Sequence, residues 1–206
     1  MSLFLALDTA TDRPSLALGT AAAPGEDVRL PSRRDLSRDI ERVTADLLAG
    51  RGVAVDALAG VVVADGPGSF TGLRIGIAFA KGLCRPRGVP LLTAPSLLGA
   101  ALRASGGAGT VIAEYDALRG DVYRARYRFG PGTASVLDPP ALVRGGTAEP
   151  GPAAGTVRAG AEHASAAALL RLAALTGALT AVADPDAWEP AYGRLAEAEA
   201  RLRGLG

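Results

Sequence analysis

The sequence predicts an α/β chain of two lobes built alike, and three observations predict it. First, a short apolar run closed by an aspartate, a polar turn and a second apolar run (residues 3–19) recurs at residues 110–127, so that Asp8 and Asp116 occupy equivalent places. Second, a continuous apolar run, Gly60–Ala64 (GVVVA), reads as a fully buried strand. Third, a glycine-rich turn leads from that strand into an almost charge-free segment, residues 72–83, long enough to be a helix.

The elements follow in order. Residues 3–7 and 15–19 are two strands of a hairpin whose turn carries Asp8 and Asp12. Leu36, Ile40, Val43 and Leu47 recur at spacings of four, three and four, which marks an amphipathic helix from about Arg33 to Ala49 with Arg and Asp on its other face. After the GVVVA strand and the helix beyond Gly72, residues 88–93 read as a strand and residues 96–103 as a helix capped by Ser96. A break at residues 104–109 (ASGGAG) divides the chain into lobes of residues 1–103 and 104–206. In the second lobe the strand, turn and strand of residues 110–127 come first. Residues 139–160, rich in Pro, Gly and Ala, read as loops, residues 162–177 as an Ala/Leu helix and residues 188–203 as a polar helix anchored by Trp188.

Composition narrows the function. The chain has 206 residues, 49% of them hydrophobic, and a formal net charge of +1, so it has a core to bury and no overall electrostatic footprint for nucleic acid or membrane surfaces. Its single cysteine, Cys84, forms no internal disulfide, and residues 1–7 run into Asp8 without the basic segment of a signal peptide. No run of eighteen apolar residues occurs. Together these point to the cytoplasm. Arginine supplies all but one of the basic residues and Asn and Gln are absent, which reads as codon bias in a GC-rich genome.

The glycine-rich turn, Ala64 to Gly76 (ADGPGSFTGLRIG), is where a strand hands over to a helix, and such turns can hold an anion. Two tests speak against a phosphate loop. A P-loop closes with Gly-Lys-Ser/Thr, whereas the only lysine here is Lys81. The dinucleotide fingerprint fails because Gly66, Gly68 and Gly72 place the last glycine one residue late. Ser69 or Thr71 then has the plainer role of helix N-cap.

These motifs resemble the TsaB family. The resemblance rests on residues 5–11 (LALDTAT) with residues 15–18 (SLAL), on the block GPGSFTGLRIG at residues 66–76, and on Asp116-Ala117 with Gly120-Asp121-Val122-Tyr123. It rests also on Pro190-Ala191-Tyr192 with Arg194, and it is dense to residue 127 and thin afterwards. The chain departs from the family pattern at Leu36, where many members have histidine, and at Leu118, where many have arginine. The resemblance implies the two-lobe actin-like/sugar-kinase fold (ASKHA, RNase H-like), here with a reduced second lobe. It implies a non-catalytic subunit that binds the paralogous transferase TsaD, with the ATPase TsaE in the larger complex, for threonylcarbamoyl transfer to the tRNA adenosine next to the anticodon (t6A modification). It further implies a homodimer when the chain is alone, tRNA contact only through the complex, no cofactor, and nucleotide only at the junction of the complex.

The residues support a non-catalytic role. TsaD-like transferases need a His-x-x-x-His metal pair, and this chain has one histidine, His163. A Ser-His-Asp triad through His163 has no nucleophile-elbow sequence beside it. The expected partner surface is helical. Gly72, Gly76 and Ala80, four apart, form a smooth strip, with Leu73, Ile75 and Phe79 as adjacent ridges and Leu36, Ile40, Val43 and Leu47 on the neighbouring helix. The bland alternative is that the two helices bury each other. Two other functions stay open: an ATP-binding kinase or carbamoyltransferase of the same fold, using Asp8-Thr9 and Asp116 around a Mg–nucleotide, and an RNA-binding module using residues 123–128 (YRARYR).

Overall fold

In the computed structural model, which describes residues 2–31, 35–146 and 155–190, the chain folds around two sheets. The first holds β1 (Phe4–Asp8), β2 (Ser15–Gly19), β3 (Val28–Arg29), β4 (Gly60–Ala64), β5 (Leu91–Ala94) and β10 (Thr180–Ala181) in the order β10-β5-β4-β1-β2-β3. β5, β4 and β1 run parallel, and the remaining pairings are antiparallel. The parallel core is buried on both faces, which is why GVVVA carries no alternation. The second sheet holds β6 (Gly109–Asp116), β7 (Val122–Gly130), β8 (Thr133–Val143) and β9 (Val157–Ala159) in the order β8-β7-β6-β9. On β7 the alternation is strict: Tyr123, Ala125, Tyr127 and Phe129 are buried and the arginines between them face the other way.

Among the described residues four α-helices cover these sheets: α1 (Leu36–Arg51), α2 (Phe70–Cys84), α3 (Ser96–Ser105) and α4 (Ala166–Leu172). α1 buries Leu36, Ile40, Val43 and Leu48, and its chain reverses at Gly52, whose φ of 59° suits glycine. α2 starts at Ser69, whose Oγ accepts the Gly72 N–H at 3.3 Å. α3 packs on β6, β7 and β9 of the second sheet and against α4, which itself packs on the first sheet, and all seven residues from Ser96 to Leu102 are buried. It meets α4 closely enough that a Cβ on Gly99 would stand 2.8 Å from Leu169 Cδ2. One apolar cluster therefore runs from Leu5 and Val61 through Leu97 and Leu169 to Tyr127 and Phe129, joining the two sheets.

The structure corrects several elements read from the sequence. Ser96 does not cap α3: the cap position is Pro95, and Ser96 Oγ accepts the Gly66 N–H at 3.1 Å while its own N–H donates to Gly66 O. The strand expected at residues 88–93 begins only at Leu91. Residues 139–143, expected as loop, continue β8. Adjacent residues of a strand aim their N–H groups to opposite sides, so the edge accommodates one of Pro139 and Pro140 on its unpaired side, and the bulge of β8 between Asp138 and Ala141 accommodates the other. The helix expected over residues 162–177 shrinks to Ala166–Leu172, because Ser165 caps it by accepting the Ala168 N–H at 3.1 Å and Ala161–His163 form a separate 3-10 turn. The C-terminal helix beyond Pro190 and the motif at Tyr192 and Arg194 lie outside the described residues.

After the second sheet the chain returns to the first: α4 packs on β1, β2 and β4, and β10 pairs with β5. The predicted hairpin and its repeat are both present. Asp8 faces Ser15 and Asp116 faces Val122, and each aspartate accepts a backbone N–H two residues on, from Ala10 at 3.1 Å and from Leu118 at 2.8 Å.

The glycine block is explained by close approach. A Cβ on Gly68 would collide with Ala10 O, one on Gly72 with Thr9 O and one on Gly76 with Thr9 Oγ1. Ser69 N–H seals the contact by donating to Ala10 O at 2.6 Å. Gly72→Ala is expected to cost about 2–3 kcal/mol, since backbone must move, and to lower Tm by roughly 5–10 °C. Gly82→Ala, on the same helix with nothing within 4 Å of its Cβ, should instead raise Tm slightly. Paired thermal melts check the contrast.

Candidate functional site

The carboxylate that a nucleotide-using enzyme of this shape would need is Asp8, at the carboxyl end of β1. It is 1% exposed, and both its oxygens already accept backbone N–H groups: Oδ1 from Ala10 and Oδ2 from Ser165, at 3.0 Å. Ser165 opens α4, and that helix's start is filled entirely by the protein itself. Ala166 N–H donates to Ser15 Oγ at 3.1 Å, Ala167 N–H to Asp27 Oδ1 at 3.0 Å and Ala168 N–H to Ser165 Oγ. Ser165 Oγ in turn donates to Asp27 Oδ2 at 2.7 Å. Arg103 Nη1 stands 3.2 Å and Arg29 Nη2 3.5 Å from that same oxygen, and Arg29 also donates to Ala164 O at 2.8 Å. Two carboxylates and two hydroxyls thus occupy the N–H groups that could otherwise face a phosphate.

The residues present do not fit a Mg–nucleotide at this place. Asp8 has no oxygen left without a bond, the α4 start has no N–H left, and the glycine-rich turn holds Thr9 and Ala10. Burial pushes the Asp8 carboxyl up to about 6, even though two N–H bonds and Arg29 pull the other way. Asp65, at the end of β4, is likewise pushed up to about 6 by burial, with a Thr93 hydrogen bond opposing. The counterpart Asp116 is exposed. His163 Nδ1 accepts the Gly160 N–H at 3.2 Å beside Glu162, a local turn contact. Cys84 is buried, and burial raises its thiol to about 11, away from reactivity. Among the described residues no three His, Cys, Asp or Glu side chains converge on a common point, and no helix is long and apolar enough to cross a membrane.

Of the ten residues expected at the partner surface, Leu36, Ile40, Val43, Gly72, Leu73, Gly76 and Ala80 are buried within the chain itself. The strip of Gly72 and Gly76 faces the Thr9 turn, so the alternative in which these helices pack inward describes those positions. Leu47, Ile75 and Phe79 remain half-buried. The exposed stripe of α2 lies one position over, on Thr71, Ala78 and Gly82, with Ile75 and Phe79 along it. Arg74 and Lys81, seven apart, mark that outward side and were the sequence signal for it. Arg74 lies over the Phe70 ring at 5.3 Å, and Lys81 Nζ donates to Trp188 O at 2.6 Å and lies over its ring. Sequence reasoning also missed Asp27, Arg29, Arg103 and Ser165. Only Ser165, a serine immediately before an apolar run, carried a local signal.

Because the folded carboxyls of Asp8 and Asp65 bind protons more tightly than unfolded ones, the folded state holds more protons between pH 4 and 6. Stability should therefore fall as pH rises through that window and level off above it. Urea midpoints at pH 4.5 and 7 for wild type and Asp65→Asn should show a shallower fall in the variant. Asp8→Ala, which strands two buried N–H groups, is expected to cost about 2–4 kcal/mol.

The sequence profile of the family described as TsaD, tRNA N6-adenosine threonylcarbamoyltransferase, matches residues 31–176. The tRNA threonylcarbamoyladenosine biosynthesis protein TsaB of Escherichia coli is 35% identical over 144 residues, which are 66% of this chain and 62% of that protein. An uncharacterised protein of Mycobacterium leprae is 37% identical over 171 residues, 80% of this chain and 45% of that one. The chain thus spans less than two thirds of the length of either relative. YeaZ from Pseudomonas aeruginosa, a solved structure, superposes with a TM-score of 0.74 at 30% identity, over 93% of this chain and all of that one. The two-sheet architecture is accordingly the two-lobe actin-like fold.

Proposed function

We propose that this chain, which belongs to the TsaB family, is a non-catalytic subunit that binds and activates a TsaD-type threonylcarbamoyltransferase in t6A modification of tRNA. The observation that carries the reading is the division of labour between Asp8 and α2. The fold's would-be catalytic carboxylate is sealed by its own backbone, while a helix apolar on nearly every side leaves Ile75, Ala78 and Phe79 without full cover.

The chemistry of that face suits helix–helix docking. Thr71, Ala78 and Gly82 are small, so a partner helix can approach the backbone closely, and Ile75, Phe79 and the neighbouring Leu47 of α1 supply the apolar area. A face built this way is also self-complementary about a two-fold axis, so a homodimer and a heterodimer with TsaD compete for it. TsaE then joins the larger complex, any nucleotide belongs to the junction of that assembly, and the cytoplasm is where it works. The kinase or carbamoyltransferase reading loses its support with the occupancy of Asp8.

Light scattering after size exclusion, of the chain alone and mixed with the same organism's TsaD, tests the reading. A mixed complex that displaces a homodimer is expected. Ala78→Arg adds bulk and charge at an exposed helix position, so the melt should stay native-like while the affinity for TsaD falls at least tenfold. Undiminished binding by the folded variant overturns the assignment of this face. Absence of any mixed complex overturns the partner role.

A further inference from the structure

The outward face of the second sheet concentrates positive charge. Arg124, Arg126 and Arg128 alternate along β7 on the side away from the buried tyrosines, and Arg158 of β9 shares that face. The register sets Ile112 of β6 between Arg126 and Arg158, and it is only 3% exposed, lying under their aliphatic stems. Alternate residues on a strand are roughly 7 Å apart and next-but-one strands roughly 10 Å, so these cations stand within about one Debye length of each other and their fields add.

Two carboxylates answer the four guanidinium groups. Glu114 takes Arg124 at 2.5 Å and Arg158 at 3.1 Å, and Asp138 takes Arg126 at 2.8 Å. Arg128 reaches Thr110 Oγ1 at 3.5 Å. Asp116 shares this face but lies at the far end of β6, opposite Val122, whereas Arg126, Arg128 and Arg158 cluster toward the other end. A formal charge of +1 on the whole chain does not show this local concentration. Between β7 and β8 the face dips into a shallow hollow of about 170 Å³, floored by Ile112 and walled by Arg124, Arg126 and Asp138.

We infer that this face docks the phosphate backbone of RNA; that the RNA is tRNA rests on the function proposed above. The exposed guanidinium groups of Arg126, Arg128 and Arg158 fit phosphate oxygens, and releasing the counterions held by those phosphates drives such contacts. The aromatic residues of the same strand, Tyr123, Tyr127 and Phe129, point into the core, so no ring is offered for base stacking. The contact is with backbone only and reads shape, not sequence.

The test is fluorescence anisotropy of a labelled tRNA transcript with the TsaD complex of the full chain, between 50 and 200 mM salt. R126Q/R128Q should lower the salt slope by roughly 1.5 and weaken binding about 10- to 50-fold at 0.1 M salt, while R126K/R128K keeps the slope. An unchanged slope and affinity in a variant that still assembles with TsaD overturns the inference and leaves the partner role intact. If no complex assembles, the same titration on the chain alone decides it by the same criteria. Loss of binding to phosphatidylserine vesicles in R126Q/R128Q with the tRNA slope unchanged would assign the face to lipid and likewise overturn the RNA contact.

Discussion

The fold depends on one close approach: the Thr9–Ala10 turn lying directly on the backbone of the Gly68–Gly76 stretch. Three glycines four residues apart give that turn a surface without side chains, and Ser69 N–H locks it by bonding to Ala10 O. Because β1 and β4 are parallel neighbours, their carboxyl ends emerge side by side, and the turn after one must pass the helix after the other. Any Cβ at Gly72 would hold the two strand ends apart. The glycine pattern that invites a phosphate-loop reading is thus a docking surface for the chain's own turn.

A second consequence follows at the start of α4. The chain leaves the first sheet at α3, builds the second sheet, and returns with Ser165 against Asp8 and Ser15. Asp27, Arg29 and Arg103 close around that return, tying the hairpin, α3 and α4 into one network. Burying two carboxylates is costly, and their bonds to helix-start N–H groups and to two guanidinium groups offset the cost. Sealing the polar groups at the strand ends shifts what the molecule presents outward: an apolar helix face on one lobe and an arginine-bearing sheet face on the other. On the proposed reading, a fold shared with a transferase family works here through its surfaces.

Much of this was legible in the sequence because the signals were local. GVVVA names a buried strand where it occurs because both its faces are covered and its run of valines favours extended backbone. The two aspartate turns repeat because the side chain bonds a backbone N–H two residues on, a contact needing no distant partner. The shortfall of histidine is a matter of composition alone. Failures came where an element answers to distant residues. β8 continues through Pro139 and Pro140 because it is an edge, and edges are a property of the sheet. Ser96 reads as a cap by position, yet its hydroxyl is drawn to Gly66 across 30 residues.

What the sequence determined by itself is the order of the main strands and helices in residues 1–127, the short β3 apart, together with the motif blocks that place the chain in its family and the lack of a histidine pair for a metal. What only the tertiary structure decided is which way things face. α2 is apolar nearly all round, so periodicity could not say that Gly72 and Gly76 turn inward to Thr9 while Ala78 and Gly82 turn outward. Nor could it say that Asp8 is closed and Asp116 open, because the difference is made by Ser165, 157 residues away from Asp8. Charge behaves in the same way: a sum over 206 residues is fixed by composition, whereas a field on one sheet face exists only once β6, β7 and β9 are laid in register. Facing is a relation between segments distant along the chain, and their relative placement is set by packing.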